Sequence, residues 1–129
     1  MSLQRILVTT ALLAAMSPAA HALELFTGLN QAPTGAILRC AITNVGTKPI
    51  EVFASIVGDD GSDLNISSSC TGNPAAPSTL DPGKACYMDS AIPGTKLGYC
   101  HFTTTSSKVR GSLLVVTMNG VTSALPATK

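Results

Sequence analysis

Residues 38–57, LRCAITNVGTKPIEVFASIV, determine the fold class of this chain. The even-numbered positions carry apolar side chains on both sides of the central turn, first at Leu38, Cys40 and Ile42 and then from Ile50 onward. A period of two places alternate side chains on opposite faces of a β-strand. The intervening segment NVGTKP contains the glycine and proline that are typical of turns. The stretch therefore predicts two half-buried strands joined by a turn.

The rest of the chain continues this pattern and adds turns of recognisable chemistry. Residues 59–62, DDGS, predict a hairpin turn into a short strand that contains Leu64 and Ile66. The dipeptide Asn119-Gly120 predicts a second hairpin, because both residues accept the positive φ angles of such turns. Further strands are predicted at residues 85–89, 97–104, 109–118 and 121–125. With no helical period after residue 22, the sequence predicts one all-β domain, a sandwich of six to eight antiparallel strands.

Two turn motifs resemble those of a known class of domain. An N-x-G-T-x-P-I turn occupies residues 44–50, and an L-x-P-G-x turn follows at residues 80–84. This pair is similar to the turns of Ig-like β-sandwich modules in bacterial secreted proteins. The Tyr99-Cys100 pair also resembles the strand that carries the second cysteine of an immunoglobulin domain. The resemblance covers most of residues 36–118 and implies an Ig-like sandwich, but turn motifs imply no particular function.

Residues 1–22 have the features of a signal peptide. Arg5 supplies a positive charge, residues 6–16 form an apolar stretch too short to span a bilayer, and Ala20-His21-Ala22 has the small-x-small pattern of a cleavage site. We expect cleavage after Ala22, which leaves residues 23–129 as an exported domain, periplasmic or secreted. No second long apolar stretch follows, so no membrane span is expected after cleavage.

The charge of the expected exported domain argues against nucleic-acid binding. Without Arg5, seven Lys and Arg residues remain and balance the seven Asp and Glu residues. The basic residues are scattered singly, with no run and no interleaved aromatic residues. Nucleic-acid binding depends on concentrated positive charge that neutralises phosphates. A nucleic-acid partner is therefore not expected.

Four cysteines follow the signal segment, and they allow three pairings. Cys40 and Cys100 lie in the middle of predicted strands on apolar faces, whereas Cys70 and Cys86 flank a long polar segment. This arrangement favours Cys40–Cys100 across the core and Cys70–Cys86 at the base of a loop, with the other two pairings left open. Exported proteins keep such disulfides oxidised. We therefore expect the four cysteines to be structural.

Candidate catalytic and metal-binding residues lack the partners that their chemistry requires. His101 is the one histidine after residue 22, and no G-x-S-x-G segment or other setting supplies a nucleophile. Asp59, Asp60 and Asp63 could offer oxygens to Ca²⁺, but they match no EF-hand, and a soluble turn explains them better. The cysteine spacings fit no zinc motif. No catalytic site, metal or cofactor is expected.

The segment between Cys70 and Cys86 is the best candidate for a binding site. Residues 67–79, SSSCTGNPAAPST, are small, uncharged and proline-bearing, which predicts a long loop. A disulfide at its base would order the loop before binding and reduce the entropy lost on association. Recognition commonly lies on loops of this kind. The candidate binding residues are Thr71, Asn73, Pro74, Pro77 and Thr79.

These features support three hypotheses for function. The first is an exported, non-enzymatic binding or cell-envelope domain, whose partner would be a protein or glycan of the envelope. The second is a pilin-like subunit of a surface fibre, for which residues 23–33 are the one spare segment that could serve as a donor strand. The third is a secreted inhibitor of a hydrolase that inserts residues 71–79.

Overall fold

The computed structural model describes residues 22–73, 75–90 and 97–129, which form an all-β domain. The pairing of its strands is antiparallel throughout. Among the described residues there is no helix long and apolar enough to cross a membrane. In chain order the strands are β1 (Leu23–Phe26), β2 (Asn30–Gln31), β3 (Ile37–Asn44), β4 (Ile50–Gly58), β5 (Asn65–Ser68), β6 (Ser78–Leu80), β7 (Ala85–Ser90), β8 (Leu97–Thr104), β9 (Val109–Thr117) and β10 (Gly120–Pro126).

The strands are divided between two five-stranded sheets. The first sheet has the order β1-β8-β4-β6, and β2 also pairs with β8. The second sheet has the order β10-β9-β3-β7-β5. The chain changes sheet at every connection from β2 to β9, whereas β1 and β2 share the first sheet and β9 and β10 share the second. These crossings bring distant parts of the sequence together in one sandwich.

The core lies between the two sheets and follows the alternation predicted from the sequence. In β3 and β4 the even-numbered side chains are buried, and Ile42, Val52 and Ile56 have no exposed surface. Phe102 of β8 and Leu113 of β9 are also fully buried. Gly111 of β9 permits this packing, because a Cβ at that position would lie 2.9 Å from the Phe102 ring. The large ring of Phe102 is therefore accommodated because Gly111 has no side chain.

Both predicted disulfides are present. Cys40 of β3 is bonded to Cys100 of β8, with 5.6 Å between the Cα atoms, and this bond joins the two sheets inside the core. Cys70, just after β5, is bonded to Cys86 of β7, with 5.0 Å between the Cα atoms. The two bonds include every cysteine of the chain. Their presence is consistent with an oxidising, exported compartment.

Two details of the fold differ from the sequence prediction. The described residues contain ten strands, more than the six to eight predicted, because strands as short as β2 and β6 have too few residues to show a period. The turn predicted at residues 59–62 is present, but the prediction that it forms a hairpin with the next strand is wrong. Only one bridge, Val57–Asp63, continues it; the chain then leaves the first sheet, and β5 pairs with β7. The hairpin at Asn119-Gly120 does connect β9 and β10, and Gly120 has a φ of 113°.

Candidate binding site

The base of the candidate loop is attached to both sheets. On the second sheet, the backbone N–H groups of Ser69 and Cys70 donate to the carbonyl of Tyr87. On the first sheet, the Thr71 carbonyl accepts from Ala54 N at 3.2 Å. The loop therefore crosses from one sheet to the other within two residues, and the Cys70–Cys86 bond lies at that crossing.

Side chains within the loop fix its backbone further. The Thr71 hydroxyl accepts from Asn73 N at 3.1 Å, and the Asn73 side-chain oxygen accepts from Ala75 N at 2.9 Å. Ser78 closes the loop, because its hydroxyl accepts from Thr71 N at 2.8 Å. Gly72, Asn73, Ala75 and Ala76 are exposed at the tip. The loop is thus ordered by its own polar residues yet presents small side chains to solvent.

The loop occupies residues 69–77, between β5 and β6, and is shorter than the predicted residues 67–79. Ser78 and Thr79 belong to β6, where Thr79 pairs with Glu51 of β4. Pro77 is partly buried where the chain enters this strand. Pro74 lies outside the described residues. Of the candidate residues, Thr71, Asn73 and Pro77 therefore lie in the loop, and Thr79 lies on the edge strand beside it.

A shallow cleft connects the loop to the outer face of the first sheet. Its volume is about 120 Å³, and it is lined mainly by apolar atoms. Pro77 of the loop, Phe53 of β4 and Thr103 of β8 contribute to its walls. Ala22 and Glu51 also line it. Phe53 and Thr103 are Cα partners across the two central strands, so both side chains point outward from the same place on the sheet.

Aromatic rings continue from this cleft across the outer face. His101 lies on this face, as the alternation of β8 predicts, and its ring stacks on Phe26 with 4.7 Å between centroids and 2° between planes. The rings of Phe53 and His101 are nearly perpendicular, with 5.7 Å between centroids and 88° between planes. Tyr99 lies 6.4 Å from Phe26. Phe26 is 40% exposed. The outer face therefore presents an aromatic row beside the cleft.

Among the described residues, His101 has no contact of the kind that general-base catalysis requires. Its Nε2 atom lies 3.6 Å from Glu24 Oε1, beyond a hydrogen bond, and no other polar partner is found for it in this part of the chain. Ser55 is its Cα partner on β4, but no hydrogen bond joins the Ser55 hydroxyl to the imidazole. The geometry favours a packing role for His101.

The acidic residues of the β4–β5 turn are used to shape that turn. The Asp60 carboxylate accepts from Ser62 N, and the Asp63 carboxylate accepts from Asn65 N, each at 2.9 Å. Gly61 has a φ of 80°, which suits glycine. Among the residues that the structure describes, no group of three or more His, Cys, Asp or Glu side chains could hold a metal ion. These contacts provide a structural role for Asp60 and Asp63.

A basic end of the sandwich was not predicted from the sequence. Asn44 is fully buried, and its amide donates to the carbonyls of Lys48 and Leu80 at 2.8 and 2.9 Å. Its backbone N–H donates to the carbonyl of Lys84, and the next residue donates to the carbonyl of Lys108. The backbone carbonyls of three lysines that are scattered in sequence therefore bind to Asn44 or to its neighbour Val45. We call this set, Lys48, Lys84 and Lys108, the basic end.

An ion pair on the outer face of the second sheet is structural. Arg39 of β3 and Asp89 of β7 are Cα partners, and their side chains form two hydrogen bonds of 2.6 and 2.8 Å. The guanidinium also lies 4.3 Å from the centre of the Tyr87 ring. Hydrogen bonding to Asp89 raises the pKa of Arg39. The pair fixes β3 against β7 and, through β7, supports the base of the loop.

Comparison with known proteins adds a fold relationship only. No protein-family model matches the chain, and no curated protein matches it. Among solved structures, the chain is similar to the crystal structure of Thermotoga maritima 1070, with a TM-score of 0.52. The sequence identity is 14%, over 81% of this chain and 91% of that chain. At this identity the likeness concerns the arrangement of strands.

Proposed function

We propose that the chain is an exported, non-enzymatic binding domain that recognises its partner at the Cys70–Cys86 loop and the adjoining cleft. The observation that carries the proposal is that Pro77 of the loop and Phe53 of the sheet line the same apolar cleft. A loop held by a disulfide and by its own hydrogen bonds loses little entropy on binding. The partner would be a protein or a glycan of the cell envelope.

The expected signal cleavage bears directly on this site. Ala22 lines the cleft, and cleavage after Ala22 would remove it. Leu23 would then begin the chain at the first residue of β1, which pairs with Thr104 of β8. Processing would therefore widen the cleft between Phe53 and Pro77 and place a free α-amino group at its margin. Export and binding competence are coupled in this proposal, in the periplasm or outside the cell.

The Ig-like assignment is supported by the order of the strands. An immunoglobulin sandwich contains the neighbours B-E-D in one sheet and C-F in the other, with a disulfide between B and F. Here β3-β7-β5 and β4-β8 are the corresponding neighbours, and Cys40–Cys100 joins β3 to β8. The outermost strands are exchanged, since β9 lies beside β3 and β1 beside β8. We propose an Ig-like core with this altered edge arrangement.

The arrangement of residues 23–33 favours the binding domain over the fibre subunit. Within this segment β1 and β2 both pair with β8 of the same chain. Phe26 also exchanges two backbone hydrogen bonds of 2.9 Å with Thr128, near the end of the chain. A donor strand would have to give up these bonds. The hydrolase-inhibitor hypothesis uses the same exposed loop tip and is a special case of the binding proposal.

Quantitative pull-down from envelope extract tests the proposal. Ala76 and Ala124 are both exposed alanines, one at the loop tip and one on β10 of the other sheet. We expect Ala76→Lys to lose the captured partner, because the added charge would have to be desolvated in the interface. Ala124→Lys is the matched control and should capture as the unsubstituted protein does. Equal capture by both variants, at equal melting temperatures, would overturn the assignment of the site.

A further inference from the structure

Two lysines of the basic end share a second cleft, which lies beside the first but is of different chemistry. Its volume is about 290 Å³, and Lys48 and Lys108 line it. Three residues that carry hydroxyl groups, Thr47, Thr105 and Ser106, line the same cleft. No carboxylate of the described residues lines it: Glu51 faces the cleft beside Phe53, and Asp81 lies in the turn that follows β6. The cleft is therefore positively charged although the whole domain is nearly neutral.

The backbone holds the two lysines together. Lys48 follows the turn that Asn44 closes, since the Asn44 amide donates to the Lys48 carbonyl and accepts from Gly46 N. Lys108 is fixed against the same turn, because Val45 N donates to its carbonyl at 3.0 Å. Gly46 leaves room for the Lys108 side chain, because a Cβ added at position 46 would lie only 3.0 Å from the Lys108 Cβ. The two ammonium groups thus arise from a rigid base.

The hydroxyl groups of the cleft are available as donors. The Thr105 hydroxyl accepts from Glu51 N, and the Ser106 hydroxyl accepts from Lys108 N, each at 3.1 Å. A hydroxyl that accepts a hydrogen bond keeps its own hydrogen for donation. Within the described residues, no hydrogen bond uses either of these two hydrogens. Two lysines and two hydroxyl groups that each retain a hydrogen for donation therefore belong to residues that line one cleft.

We propose that this cleft binds a phosphate or sulfate group. Such a group offers several acceptor oxygens and a full negative charge, which match ammonium and hydroxyl donors. The group could be a free ion or part of an envelope polymer, since the recognising chemistry is the same. This inference is independent of the loop proposal, because it depends on Lys48 and Lys108 and not on Pro77 or Phe53.

Titration of the isotope-labelled exported protein, followed by NMR, tests the inference. The probes are inorganic phosphate and dextran sulfate, each compared with sodium chloride at equal ionic strength. We expect saturable shifts at the amides of Thr47, Ser106 and Lys108. Saturation by phosphate at low concentration would identify the ligand as a free ion. Saturation chiefly by dextran sulfate would identify it as a group carried on a polymer.

Variants distinguish this site from general surface charge. Lys48→Gln and Lys108→Gln should each weaken binding about tenfold, because each removes one charged donor. Lys84→Gln is the matched control: Lys84 belongs to the basic end but does not line the cleft. Lys84→Gln should change the affinity for phosphate or dextran sulfate by less than about twofold. Shifts no larger than those in sodium chloride, or an equal loss in Lys84→Gln, would overturn the inference.

Discussion

His101 of β8 and Phe26 of β1 stack face to face on the outer side of the first sheet, with 4.7 Å between ring centroids. The two residues are also Cα partners in the strand pairing. Phe53 of β4 makes a T-shaped contact with the His101 ring, with 5.7 Å between centroids. Three neighbouring strands are thereby connected by ring contacts outside the core, next to the cleft that the loop reaches.

The first prediction concerns this stack. His101→Ala should lower the free energy of unfolding by about 1 to 3 kcal/mol, because it removes contacts with both Phe26 and Phe53 and each aromatic pair contributes about 0.5 to 1.5 kcal/mol. His101→Phe keeps a flat ring and should retain most of that stability. Urea denaturation of both variants measures the difference. Equal destabilisation by Ala and Phe would show that the ring contacts are not responsible.

The second prediction compares the two disulfides. Replacing both Cys40 and Cys100 with alanine should cost about 4 kcal/mol, and replacing both Cys70 and Cys86 about 3 kcal/mol, in the chain-entropy model. The difference follows from sequence separations of 60 and 16 residues. Denaturation of the two double variants gives both values. A larger cost for the loop pair than for the core pair would contradict this account.

The third prediction concerns the buried asparagine of the basic end. Asn44→Asp places an acceptor where the Asn44 amide donates to two carbonyls. We expect a loss of about 2 to 4 kcal/mol, since buried polar groups would be left without partners. Asn119→Asp, in the exposed β9–β10 turn, is the matched control and should change stability by less than about 0.5 kcal/mol. Similar melting temperatures for the two variants would argue against the role of Asn44.

The fourth prediction concerns processing. Cleavage after Ala22 should leave Leu23 as the first residue, because Ala20-His21-Ala22 has the pattern of a signal-peptidase site. The intact mass of the exported protein checks this directly. Retention of Arg5 in the exported protein would contradict both the cleavage and the widening of the cleft.

The strands that carry the core could be predicted because burial imposes a period on them. Leu38, Cys40 and Ile42 face the core of a two-layer sandwich, so their alternation is visible in sequence. In β5 no residue is buried, and its sequence NISS shows no period. The strands β1, β2 and β6 are two to four residues long. Short or exposed strands are determined by their partners, which local sequence does not reveal.

The candidate site could be predicted only in part, for a similar reason. Proline, small polar residues and flanking cysteines are local signals, and they indicated the position of the loop but not its end, because residues 78–80 form β6. Phe53, Thr103 and Pro77 meet only because β4 pairs with β8 on one side and with β6 on the other. Lys48 and Lys108 likewise meet through Asn44 and Val45. The outward positions of β4 and β8 would have indicated the cleft had their pairing been known.

Site-specific photo-crosslinking in cells tests the central claim most directly, because it captures a partner whose identity is unknown. A photoreactive amino acid would replace Ala76 at the loop tip or, as the control, Ala124 on β10; both positions are exposed. The account predicts a discrete crosslinked product from position 76 in the cell envelope and none of that size from position 124. The same product from position 124, or none from position 76 in correctly exported protein, would contradict it.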